Sequence, residues 1–135
     1  MADEEGYAKK HEDDAKKAAA AGLTEKAERE FREAGRLRET AGTELAGAGK
    51  HQRAGEQFRQ ASTDFEECAK LNIAGLEWAE AETQLAAVLR TARAASTEFN
   101  VSGDKTEKDK LDKKVNDLLK KYGPSGTVHA LPKLT

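Results

Sequence analysis

The chain has little of what builds a disulfide scaffold, a sheet or a membrane span. Its 135 residues include one cysteine, two prolines, one tryptophan and only 5% aromatics. The lone Cys68 has no partner for an internal disulfide, so a reducing, cytoplasmic setting is expected. Residues that favour strands, the aromatics and the β-branched types, are scarce. No run approaches the roughly 20 apolar residues of a transmembrane helix. The opening Met1-Ala2-Asp3-Glu4-Glu5 is acidic where a signal peptide would be basic and then apolar. Nor does one sign of charge dominate. There are 23 Lys and Arg against 25 Asp and Glu, interspersed, for a net charge of -2. That argues against a nucleic-acid partner, whose binding needs a basic face to displace counterions.

What the sequence does have is alanine and charge. Apolar residues make up 37% and charged residues 36%, against averages of about 45–50% and about 25% for soluble proteins. Alanine is the strongest helix former, with Glu, Lys, Arg and Gln close behind. The length suits one domain, and the composition predicts helix throughout.

Apolar spacing marks the segments. A weak stripe of Tyr7, Ala8, His11, Ala15, Ala18 and Ala19 precedes Gly22. A clear one follows at alternating steps of four and three: Ala27, Phe31, Ala34, Leu37/Arg38, Ala41, Leu45, Ala48. Gly47 and Gly49 break it. Two more stripes run Ala54, Phe58, Ala61, Phe65, Cys68, Leu71 and Trp78, Ala81/Glu82, Leu85, Val88/Leu89, Ala92, Ala95. These are the faces of helices packed on helices. The segments also repeat: Ala21-Gly22, Ala48-Gly49 and Ala74-Gly75 lie 27 and 26 residues apart. One straight helix would put successive copies on opposite faces. A turn near each Ala-Gly resolves the conflict and gives antiparallel helices of about 20–24 residues.

Residues 100–104 read as a loop, with Asp104 as the N-cap of an amphipathic helix over 105–122 carrying Leu111, Val115, Leu118, Leu119 and Tyr122. Lys120 and Lys121 suit its C-terminal dipole, and Gly123-Pro124 ends it. Residues 123–135 read as a flexible tail, and residues 1–99 as the main helical domain.

Motifs that carry chemistry are sparse. His11, His51 and His129 have no second ligand-type histidine at helical spacing and read as solvated. Cys68 lies on an apolar stripe and reads as a buried structural thiol. Gly47-Ala48-Gly49 has no preceding strand and no following Gly-Lys-Ser/Thr, so it reads as a turn and not a phosphate loop. No catalytic, metal or cofactor residue is assigned. Gly35 and Gly42, seven apart within a helix, each cost about 1 kcal/mol relative to Ala. Close backbone approach explains them, either within the fold or from a partner, and the hypothesis carried forward is a second polypeptide lying against that line. Trp78, just inside a helix start, reads as a core anchor, with partner contact as its second candidate role.

The unit Gly22, Ala27, Phe31, Ala34 followed by Gly49, Ala54, Phe58, Ala61 puts small residues beside an aromatic that fills the space they leave. With Lys50-His51, Phe65, Ala69 and the run Glu30-Phe31-Arg32-Glu33-Ala34-Gly35, it resembles the tetratricopeptide superfamily, closest in flavour to its soluble NSF attachment protein branch. The resemblance spans about residues 15–95. It implies helical hairpins that bind proteins without doing chemistry. The expected fold is therefore all-α: an antiparallel bundle, or a short α-solenoid of four long helices, plus a C-terminal amphipathic helix. The expected function is a non-catalytic protein-interaction adaptor, with possible self-association. Two alternatives remain open. One is an enzyme or metal protein built in the bundle core, where Arg38 and Glu82 are the charged residues on the apolar stripes. The other is an anionic-surface or lipid binder working through residues 105–122.

Overall fold

Residues 4–122 are described by a computed structural model. Within them the helix-forming composition yields five helices: α1 (Glu4–Ala20), α2 (Thr24–Gly47), α3 (His51–Ala74), α4 (Trp78–Ser102) and α5 (Lys105–Tyr122). No strand is present among the described residues, so the all-α expectation holds. The expected tail at 123–135 lies outside the described residues.

One backbone manoeuvre ends each of the first four helices. A single residue enters the left-handed region: Gly22 at φ 77°, Gly49 at 78°, Leu76 at 60° and Gly103 at 85°. The next residue sends its N–H five places back: Leu23 to Ala18 (2.8 Å), Lys50 to Leu45 (2.9 Å), Glu77 to Asn72 (2.8 Å) and Asp104 to Phe99 (2.9 Å). This is the 6→1 closure of a Schellman motif, which satisfies a carbonyl that the helix end leaves without a partner. The carbonyls of Leu23, Lys50, Glu77 and Asp104 then accept from Ala27, Ala54, Ala81 and Lys108, so the next helix starts at once. Each of these positions recurs every 27 residues, from α1 through the start of α5.

Two expectations about the turns are corrected. The third turn pivots on Leu76 and not on Gly75, whose φ is -90°, so the apparent 26-residue step disappears. The loop at 100–104 shrinks to Gly103 and Asp104, because α4 runs to Ser102. Closure onto the Phe99 carbonyl requires residues 100–102 to stay helical. Asp104 does cap α5 as expected, its carboxylate accepting the Glu107 N–H at 3.1 Å.

Such short turns make neighbouring helices antiparallel. Each packs mainly on its neighbours in sequence, with only a light touch between α2 and α4. No substantial contact joins α1 to α4, so the helices form an open array in which α5 is the next unit after α4.

The 27-residue period also sets the packing. Phe58 lays its ring on Gly42 of the preceding helix, where an added Cβ would sit 3.0 Å from ring carbons. One unit earlier, Phe31 shares a small core cluster with Ala15 of α1. One unit later, Leu85 shares the main core with Ala69 of α3. One further, Asp112 accepts a 2.6 Å hydrogen bond from Ser96 of α4. The receiving residues Ala15, Gly42, Ala69 and Ser96 are all small, and they too stand 27 apart. Close-packed interiors need such a match of large residue to small. Phe65 on Gly35 and Phe99 on Gly55 repeat the device, with the added Cβ at 2.8 and 2.9 Å from the rings.

Candidate functional site

The first two helices are joined as much by polar groups as by apolar ones. In α1 the buried residues are Ala8, Glu12, Ala15 and Ala18. Arg38, on the α2 stripe, forks both oxygens of Glu12 at 2.9 and 3.1 Å and donates to Gln57 Oε1 at 3.0 Å. Gln57 in turn donates to Glu5 at 3.1 Å, and Arg53 reaches the same carboxylate at 3.2 Å. Behind them sits Asp64, 2% exposed, with Gln60 donating to its Oδ1 at 3.4 Å. Burial and then the Glu12 carboxylate push the Asp64 pKa up to about 9. Burial works on Glu12 in the same sense, but hydrogen bonds from Asp64 and Arg38 hold its pKa below the usual range. The pair therefore keeps one proton, on Asp64, and one negative charge, on Glu12 opposite Arg38. Such a cluster can fix the register of α1 on α2 and α3. Its burial keeps it from a dissolved substrate.

A second carboxyl pair involves the first turns of α2. Glu28, buried, is pushed up to about 7 by its desolvation and then by Glu77. Asn72 donates to Glu77 at 3.1 Å. Beside it Cys68 is fully buried, its thiol donating to the Glu28 carbonyl at 3.4 Å, and burial raises its pKa to about 12. That thiol is inert, as its apolar stripe implied. The expectation of solvated histidines is corrected for two of the three. His11 lies 2.5 Å from Glu30 and His51 lies 2.7 Å from Glu98, each half-buried across a helix pair. The antiparallel turns bring those carboxylates alongside, which local spacing does not reveal. His129 lies outside the described residues. No cluster of three or more His, Cys, Asp or Glu side chains could hold a metal ion among the described residues.

A groove of about 490 Å³ lies at the end where α3 finishes, α4 begins and α5 stops. Its floor is apolar: Ala69 and Ile73 of α3, Leu85 of α4, Leu118 and Tyr122 of α5. Its rim carries Lys70 of α3 and Lys110, Lys113, Lys114 and Lys121 of α5, against Glu66 and Asp117. The Ser96–Asp112 bond sets the α4–α5 register, and carrying that register along brings Tyr122 beside the first turns of α4. With 18 residues, α5 is shorter than α4 with 25, and the groove opens where α5 ends.

The structure puts Gly35 and Gly42 inside the fold. Both are buried, and the close approach they permit is that of Phe65 and Phe58 of the same chain. This corrects the expectation that the line faces a second polypeptide, because rings from α3 already occupy it. Trp78 is half-buried at the first position of α4 and packs on the main core. Glu82 is half-buried on α4, a turn away.

The groove was missed in the sequence, although one signal pointed to it. Residues 105–135 hold eight lysines and four acidic residues, whereas residues 1–104 hold 15 Lys and Arg against 21 Asp and Glu. Local interspersion of charge conceals this difference between the two ends of the chain. Comparison with protein-family models, with curated proteins and with solved structures gives no match.

Proposed function

We propose that this chain is a protein-binding helical array, an adaptor or scaffold that holds another protein without chemical conversion. The observation that carries the reading is the groove between α3, α4 and α5, where apolar residues packed between the helices, Ile73 the most exposed of them, floor a concavity with a charged rim. Grooves between helices are a recurring form of protein-binding site. The resemblance to tetratricopeptide and soluble NSF attachment protein hairpins belongs to the same reading. The run of antiparallel hairpins supports it, although the 27-residue unit is shorter than the 34 residues of a tetratricopeptide repeat. A reducing, cytoplasmic setting fits the buried free thiol of Cys68. No described helix is long and apolar enough to cross a membrane.

A different protein fits better than a second copy of this chain. The position that is buried in earlier units as Gly35, Ser62 and Leu89 becomes the exposed Asn116 in α5. A polar outer face is what a terminal repeat needs to stop further stacking.

Photo-crosslinking tests the proposal. A benzophenone amino acid at position 110 or 113, on the groove, should trap one discrete partner in cells. The same group at Lys16 on α1, which is exposed, should not. Adducts of the chain with itself alone, or no adduct at any position, would count against an adaptor.

A further inference from the structure

Resting on that reading, we propose that the groove receives an acidic amphipathic α-helix of the partner, its apolar side chains on the floor and its carboxylates along the lysine rim. Three observations carry this.

The first is charge. The groove lining holds five lysines and two carboxylates, Lys114 pairing with Glu66 across helices at 3.2 Å, in a chain whose overall charge is -2. Three of those lysines bond only to a carboxylate three or four residues away on their own helix: Lys70 to Glu67 (3.4 Å), Lys110 to Glu107 (3.2 Å) and Lys113 to Asp117 (2.8 Å). Their side chains are 63–78% exposed. Exposed pairs of this kind contribute little, about 0–1 kcal/mol, so an incoming carboxylate exchanges for them at small cost. Lys121 stands 5.2 Å from the centre of the Tyr122 ring, at the open end.

The second is shape. Lys110, Lys113 and Lys121 follow one side of α5 for about three turns, roughly 16 Å at 1.5 Å per residue. That matches a ligand helix of three to four turns, whose anchors at i, i+3 or i+4 and i+7 fill a groove between helices. The third is composition. Glu66 and Asp117 sit within the lining, where they would repel a dense polyanion. The apolar residues are recessed between helices and do not project as an interfacial helix would present them.

The test is fluorescence anisotropy with the full chain and a labelled 18-residue peptide of Leu and Glu, the Leu at helical spacing on one face. Binding should weaken several-fold between 50 and 300 mM NaCl. The Lys110→Glu/Lys121→Glu variant should lose at least tenfold in affinity while keeping its helical circular dichroism. Lys10→Glu/Lys16→Glu, exposed on α1, should bind as the parent does. No binding, equal binding of a peptide with Lys in place of Glu, or equal loss in both variants would overturn the proposal. So would groove-dependent binding of phosphatidylserine vesicles without peptide binding, or groove-dependent dimerisation by light scattering. Partner crosslinks at position 110 without peptide binding would leave the adaptor reading standing and overturn this one alone.

Discussion

Replacing Asp64 with Asn should remove most of the pH dependence of stability above neutrality. Asp64 is buried and keeps its proton in the folded chain to about pH 9. In the unfolded chain an aspartate releases it near its ordinary value of about 3.9. Between those limits the folded state binds one proton more than the unfolded state, so stability falls as pH rises, by up to about 1.4 kcal/mol per unit. The contribution is complete below the unfolded value and is lost on passing upward through the folded one. Asn cannot ionise, yet its amide can donate to a neighbouring carboxylate as a protonated carboxyl does. From pH 6 to pH 8 the parent should therefore lose roughly 3 kcal/mol more than Asp64→Asn. Glu28, raised to about 7, adds a loss of the same sign up to that pH, but it is common to both proteins and cancels in the difference. Urea titrations followed by helical circular dichroism at each pH unit from 5 to 9 measure the two curves. Parallel curves would mean that Asp64 is ionised in the folded state, with Arg38 compensating it, and would refute the shared-proton argument.

The other predictions concern the repeat. Leu76→Gly should raise stability by about 1 kcal/mol in the same urea titrations, because Leu76 is 65% exposed and holds φ at 60°, where a side chain is strained. Phe58→Ala should cost about 3–5 kcal/mol. Gly42→Leu should unfold the chain and not merely block association, since the ring of Phe58 lies 3.0 Å from an added Cβ. Joining the two changes should recover part of the loss, and strict additivity in the double-mutant cycle would show that they do not touch.

The helices were legible because their apolar faces are periodic and their formers abundant. The register was not, and the reason lies at a few residues. Gly75 drew the third turn one place early, because Leu is rarely chosen for a left-handed position, whereas Leu76 takes it. Once the period is taken as 27 without slack, Gly42 aligns with Ala15, Ala69 and Ser96 as the small side of a large-to-small contact, and the partner surface expected there vanishes. Arg38 was visible as a charge on an apolar stripe. Its partners were not, because Glu12 lies 26 residues away and Asp64 belongs to a third helix. The groove escaped notice for a related reason: its lysines come from α3 and α5, and only the turns bring those helices together.

The turn that closes each unit has a consequence for how such a chain can change in length. Each helix meets its predecessor through the same backbone state and the same small-under-large contact, so what a unit requires of its neighbour is also what it offers to the next. Copying or excising 27 residues would keep the turns and the large-to-small register of Phe31, Phe58 and Leu85 on Ala15, Gly42 and Ala69. An insertion of one or two residues within a helix would rotate the downstream face by about 100° per residue and turn Phe or Leu away from the gap that receives it. Growth by whole units is thus the change of length that this architecture tolerates.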